Sequence, residues 1–90
     1  MPTRRELAEI WAERVRAARL TYHFATLHFN KVLADQKAWP LPAPDGSAAI
    51  HNARREESAA RDEFMRSLKI LTDLLLNGKE PEERQDEPNA

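Results

Sequence analysis

His23 and His28 sit within the stretch YHFATLHF, residues 22–29, together with three aromatic rings. Imidazole is the side chain in this cysteine-free sequence best suited to hold a transition metal. A five-residue separation, however, places the two rings about 140° apart around a helix, whereas a shared ion needs ligands at i and i+4. No E-x-x-H signature of a carboxylate-bridged metal bundle accompanies them, and Glu6, Glu9 and Glu13 read as a solvated acidic stripe at the dipole-favoured end of a helix. His51 reads as a surface residue. Ser47, Ser58 and Ser67 lack histidine and carboxylate partners at triad spacing, and Gly46 and Gly78 are too few for a phosphate-binding loop. The expectation is therefore a protein that is not an enzyme and carries no metal or other cofactor.

The arginines offer a different chemistry. Arg5, Arg16 and Arg19, with His23, share an outward line on a helical wheel and could meet phosphates. The net charge is −1 in a chain that is 32% charged, and acidic residues are interspersed, including expected intrahelical pairs of Asp62 with Arg66 and Lys69 with Asp73. A solvated face is the simpler reading, and nucleic acid is not the expected partner. A nucleic-acid-associated accessory role through these arginines stays as the alternative, and a metal- or ligand-binding bundle as the third reading.

The elements that carry these residues are legible. Thr3 and Glu6 form a T-x-x-E capping box, and no glycine or proline follows until Trp39-Pro40. Leu7, Trp11, Val15, Ala18, Tyr22, Ala25, Phe29, Val32 and Leu33 recur at steps of three and four, predicting a first helix over about 4–37. In WPLPAPDGS three alternating prolines end it, so residues 38–46 form a stiff connection. Ile50, Ala53, Glu57, Ala60, Phe64, Leu68, Leu71 and Leu75 mark a second seam over about 47–77, with an N-cap oxygen expected from Asp45 or Ser47 and Gly78 as its C-terminal stop. The acidic residues 79–90 have no apolar anchor and are expected to be disordered. One domain, residues 1–78, follows: an all-α antiparallel two-helix hairpin.

A 90-residue hairpin buries little, and without cysteine it has no disulfide to supplement its core. Association into a homodimeric four-helix bundle, or with another helical protein, is the expected remedy. Leu20, Phe24 and Leu27 project away from the first seam and form a second apolar stripe suited to that contact. The expected function is that of a small non-catalytic interaction or adaptor protein. No run of apolar residues approaches the ~20 of a membrane span and the N-terminus lacks a signal-peptide core, so a cytoplasmic protein is expected. Two finer expectations concern single residues. Glu57 breaks the second seam, and antiparallel pairing should bring it near Thr26 to Phe29, making His28 its buried polar partner and setting Phe64 against Tyr22. Trp39 should fold over the open end of the bundle near Leu33 or Ile50.

Overall fold

The computed structural model of the chain describes residues 2–80. Helix α1 spans Arg4–Ala38 and helix α2 spans Asp45–Asn77. They fold back antiparallel into a slab of 54 × 25 × 17 Å, one helix thick and two wide. The expected tail falls outside the described residues from 81 onward.

Local chemistry accounts for the helix ends. Thr3 Oγ1 accepts from the Glu6 amide and Glu6 Oε1 accepts from the Thr3 amide, both at 3.1 Å, so the capping box is complete. These bonds hold the Glu6 carboxyl below its ordinary range, the backbone bond from Thr3 contributing most. At the far end Gly78 adopts φ 65°, the left-handed conformation that glycine supplies without a Cβ penalty, and the Lys79 amide returns to Asp73 O at 3.2 Å. No basic side chain of α2 lies in its last turn, but the Arg4 guanidinium lies against Gly78: a Cβ built there would sit 3.0 Å from Arg4 Nη2. The first residue of α1 thus supplies a cation to the negative end of α2.

The start of α2 corrects one expectation. Neither Asp45 nor Ser47 caps it; Pro44 stands at the N-cap with no side-chain bond, and Ala48 N donates to Pro44 O at 2.8 Å. Because the proline ring pre-sets a near-helical φ, the helix begins as soon as the proline run ends, two residues before the expected start. Asp45 then sits in the first turn, where its charge complements the dipole.

The seam between the helices is made of small residues. In α2 the buried positions are Gly46, Ala53, Ala60, Ser67 and Leu74, a strict seven-residue repeat. In α1 they are Trp11 and Ala18, continued by half-buried Ala25 and Val32 at the same interval. Ala53 retains 2% of its exposure and Ser67 1%, which a two-helix structure can achieve only if the partner backbone comes close. Three anchors set the register: Gln36 against Gly46, Arg4 against Gly78, and Tyr22 stacked on Phe64 with centroids 6.1 Å apart. The same register sets Phe29 level with Ala53, Tyr22 with Ala60, Ala18 with Phe64 and Val15 with Ser67, a large side chain against a small one each time. Leu68 and Leu75, assigned to the seam on sequence, are exposed instead, as is Leu33. One residue is 100° of rotation, and the repeat that starts at Ala53 and Ala60 arrives at Ser67 and Leu74, not at the next leucine.

The corner is held by a side chain whose role the sequence did not announce. Gln36 Nε2 donates to Leu41 O and Leu41 N donates to Gln36 Oε1, both at 3.1 Å, a two-bond clamp across the proline turn. The carboxamide fills the space in front of Gly46: a Cβ there would collide with Gln36 Nε2. The Ala43–Pro44 peptide is cis. Trp39 does not cover the hairpin end. It is the C-cap of α1, its amide bonded to Asp35 O at 2.7 Å, and its side chain is 80% exposed because the Gln36–Leu41 clamp closes the corner from within.

This packing predicts opposite signs for one substitution in two backgrounds. Gly46→Ala should cost about 1 kcal/mol in the native protein, because displacing Gln36 loses two hydrogen bonds of about 1 kcal/mol each while alanine returns about 1 kcal/mol of helix propensity. In a Gln36→Ala background, with nothing to displace, the same change should stabilise by about 1 kcal/mol. Urea unfolding of the four proteins checks this, and equal effects in both backgrounds would exclude the clamp.

Candidate interaction surface

The exposed face of α1 opposite the seam carries Ile10, Leu20, Phe24 and Leu27. Leu20 is 54% exposed, Phe24 63% and Leu27 50%, so the three residues expected to form a second apolar stripe do stand outside the hairpin's own core. The other residues on that line, Glu13, Ala17, Lys31 and Ala34, are exposed as well. His23 leans on Phe24, ring centroids 5.7 Å apart, on the rim of this surface. Glu6, Glu9 and Glu13 are all exposed, as expected of a solvated stripe.

The two broad faces of the slab differ in charge. On one, Trp11 is almost wholly buried beneath two guanidinium groups, Arg14 at 4.4 Å and Arg66 at 5.9 Å from its ring centroid. Glu63 accepts from Arg66 Nε at 3.1 Å and Nη2 at 2.8 Å, and from buried Ser67 Oγ at 3.3 Å. The Arg66 hydrogen bonds are the main reason that the Glu63 carboxyl is held below its usual 4.5, with Arg14 across the seam adding to the effect. The stability this contributes is present above the ordinary carboxylate value and is lost as pH falls through the lowered one. Lys31 and Asp35, 2.7 Å apart, add a further pair on α1, and Lys69 reaches Asp73 at 3.9 Å as expected.

The opposite broad face carries Arg5, Arg16 and Arg19 from α1 with Arg54 and Arg61 from α2, by their heptad positions on either side of the seam. Arg54 lies over the Phe29 ring at 5.7 Å, Arg16 pairs with Glu13 and Arg61 with Asp62 at 3.9 Å. Among the described residues Arg5 and Arg19 form no ion pair. The α2 members of this surface lay outside the arginine line drawn on sequence, because a wheel of one helix cannot show which residues the second helix adds.

Glu57 and His28 stand apart. Glu57 is half-buried at the level of Ala25, while His28 is exposed, and no hydrogen bond joins them. The register places the carboxylate one step short of the expected Thr26–Phe29 span, beside small residues that leave it a path to water. Phe64 against Tyr22, from the same reasoning, is present.

No group of three or more histidine, aspartate or glutamate residues among the described residues could hold a metal ion. Among the described residues no helix is long and apolar enough to cross a membrane. An open cleft of about 480 Å3 lies at the corner, lined by Val32, Asp35, Gln36, Trp39, Leu41 and Ala49; its walls offer no nucleophile with an adjacent base.

With Glu57 reaching solvent and His28 on the surface, His28→Ala is expected to change stability by no more than about 0.5 kcal/mol and to combine additively with Glu57→Gln. Glu57→Leu should raise the melting temperature by filling the seam. Thermal unfolding of the single and double variants measures both, and a coupling energy above about 0.5 kcal/mol would establish the pair. No known protein family, curated protein or solved structure matches this chain.

Proposed function

We propose that this chain is a small non-catalytic interaction protein that works by presenting the outer face of α1 to another helical surface. The observation that carries the reading is the placement of Leu20, Phe24 and Leu27 in one line, at least half exposed, on the side of α1 that α2 cannot reach. Burying what remains of each large apolar side chain contributes about 1 kcal/mol. A slab one helix thick gains from such a contact more than a rounder domain would, because so little of it is interior. No cofactor enters this reading.

Phe24→Asp tests it. If Phe24 served the isolated hairpin alone, an exposed side chain could be replaced at a cost within about 0.5 kcal/mol. As a contact residue, its replacement should abolish association, seen as a drop in mass by light scattering and in captured partner, and should lower the melting temperature to a value independent of concentration. A Phe24→Asp variant that keeps the native mass, partners and melting temperature would overturn the proposal.

A second reading rests on the arginines gathered across both helices, Arg5, Arg16, Arg19, Arg54 and Arg61, as a phosphate-contacting face. It expects binding to duplex nucleic acid whose affinity falls steeply between about 50 and 200 mM salt, and whose salt slope shrinks by about one per contact when Arg19 is replaced by alanine. Absence of any binding at about 50 mM salt would remove it.

A further inference from the structure

The outer stripe of α1 has a symmetry that its apolarity alone does not require. Its positions are 10, 13, 17, 20, 24, 27, 31 and 34, so the steps between them read 3, 4, 3, 4, 3, 4, 3, the same in both directions. All eight residues are exposed. Such a line is a complete heptad seam about 36 Å long, and it superimposes on itself when reversed. Reversal about a point level with residue 22 sets Leu20 beside Phe24, Ala17 beside Leu27, Ile10 beside Ala34 and Glu13 beside Lys31. Each large apolar side chain away from the centre meets an alanine. The one acidic position meets the one basic position, twice in each pair of stripes. On the flank, Glu9 comes level with Asp35, whose carboxylate is already paired with Lys31.

We infer that the occupant of this face is a second copy of the chain, docked α1 against α1 antiparallel about a two-fold axis level with residue 22. This rests on the interaction reading above and specifies its partner. A parallel arrangement would set Glu13 on Glu13 and Lys31 on Lys31, like charges at close quarters, and would stack Phe24 on Phe24 and Ala17 on Ala17. The antiparallel one is isologous: both stripes are consumed and the assembly closes at two. In the single chain Glu13 is paired with Arg16, and Lys31 with Asp35 at 2.7 Å, through side chains more than half exposed. Contact between copies extends these into alternating rows, Arg16–Glu13 with the partner's Lys31 and Asp35, without breaking either pair. Because the stripe lies on the edge of α1 away from α2, the four helices stand in the order α2, α1, α1, α2, an extended array in place of a bundle with one shared core.

Charge exchange and cross-linking test this together. Glu13→Lys and Lys31→Glu should each weaken self-association by about tenfold or more, since each creates two like-charge contacts per dimer. The double variant Glu13→Lys/Lys31→Glu should recover most of it, because the antiparallel contact then reads lysine to glutamate again. Circular dichroism of each variant monitors the helices. The chain has no native cysteine, so Ala17→Cys and Leu27→Cys proteins give a clean second readout. Mixed, they should form a disulfide-linked heterodimer on mild oxidation, while Ala17→Cys alone should not self-link. A wild-type monomer at high concentration, a double variant no better than the singles, or Ala17→Cys self-linking as readily as the mixture would each overturn the inference. If Phe24→Asp still abolishes capture of a different protein in those cases, the interaction reading stands and only the identity of the partner falls.

Discussion

Two helices share a single seam, and in this chain the α2 side of it is glycine, alanine, alanine and serine until the final leucine. Side chains of that size set no distance of their own; they let the backbones approach until the large residues of α1 touch the opposite helix directly. Register is then fixed by volume, since each of Tyr22, Phe29 and Trp11 must find a gap in the facing repeat. A shift of register would carry these rings away from the gaps that receive them. The closeness of the seam is also what limits the core. Alanines bury little apolar area, so the stabilisation available inside one chain is small and much of the leucine, isoleucine, phenylalanine and methionine remains outside.

Polar interactions take over where the seam runs out. At the open end, Arg4 meets the C-terminus of α2, and Trp11 lies under Arg14 and Arg66, with Glu63 tying Arg66 to the helix that carries it. At the closed end, the Gln36 carboxamide grips the Leu41 backbone and rests on Gly46. Exposed pairs of this kind are worth little individually, typically below about 1 kcal/mol. Their effect is positional: they pin the two ends of the 54 Å hairpin in the register that the seam's packing sets.

Much of this was readable in advance, for reasons that are local. The Thr3–Glu6 box, the proline run and Gly78 are chemical signals confined to a few residues, and α1 and the end of α2 follow from them. The outer stripe of Leu20, Phe24 and Leu27 was equally legible, because a helix as long as α1 makes its periodicity unambiguous. What failed depends on the second helix. Ranking by hydrophobicity prefers Leu68 and Leu75 to Ser67, yet close packing prefers the serine, whose hydroxyl is satisfied within its own helix by Glu63. The Glu57–His28 pair failed by a step of register, and Trp39 failed because a glutamine, a residue with no strong structural signature, had taken the corner. A glycine in the first turn of a helix was the available sign that something must approach closely there.

The same constraint bears on what the molecule can do. Among the described residues a slab one helix thick encloses little interior, and the cleft at its corner is open. What it does have is length: a helix that displays two heptad seams back to back, one consumed by α2 and one facing outward along about 36 Å. A second seam of this kind is costly to expose, and a chain that gains so little from its first seam has a direct energetic use for the second. Association and folding are then the same free-energy question, because the contact that joins chains would also supply the apolar burial that the hairpin lacks.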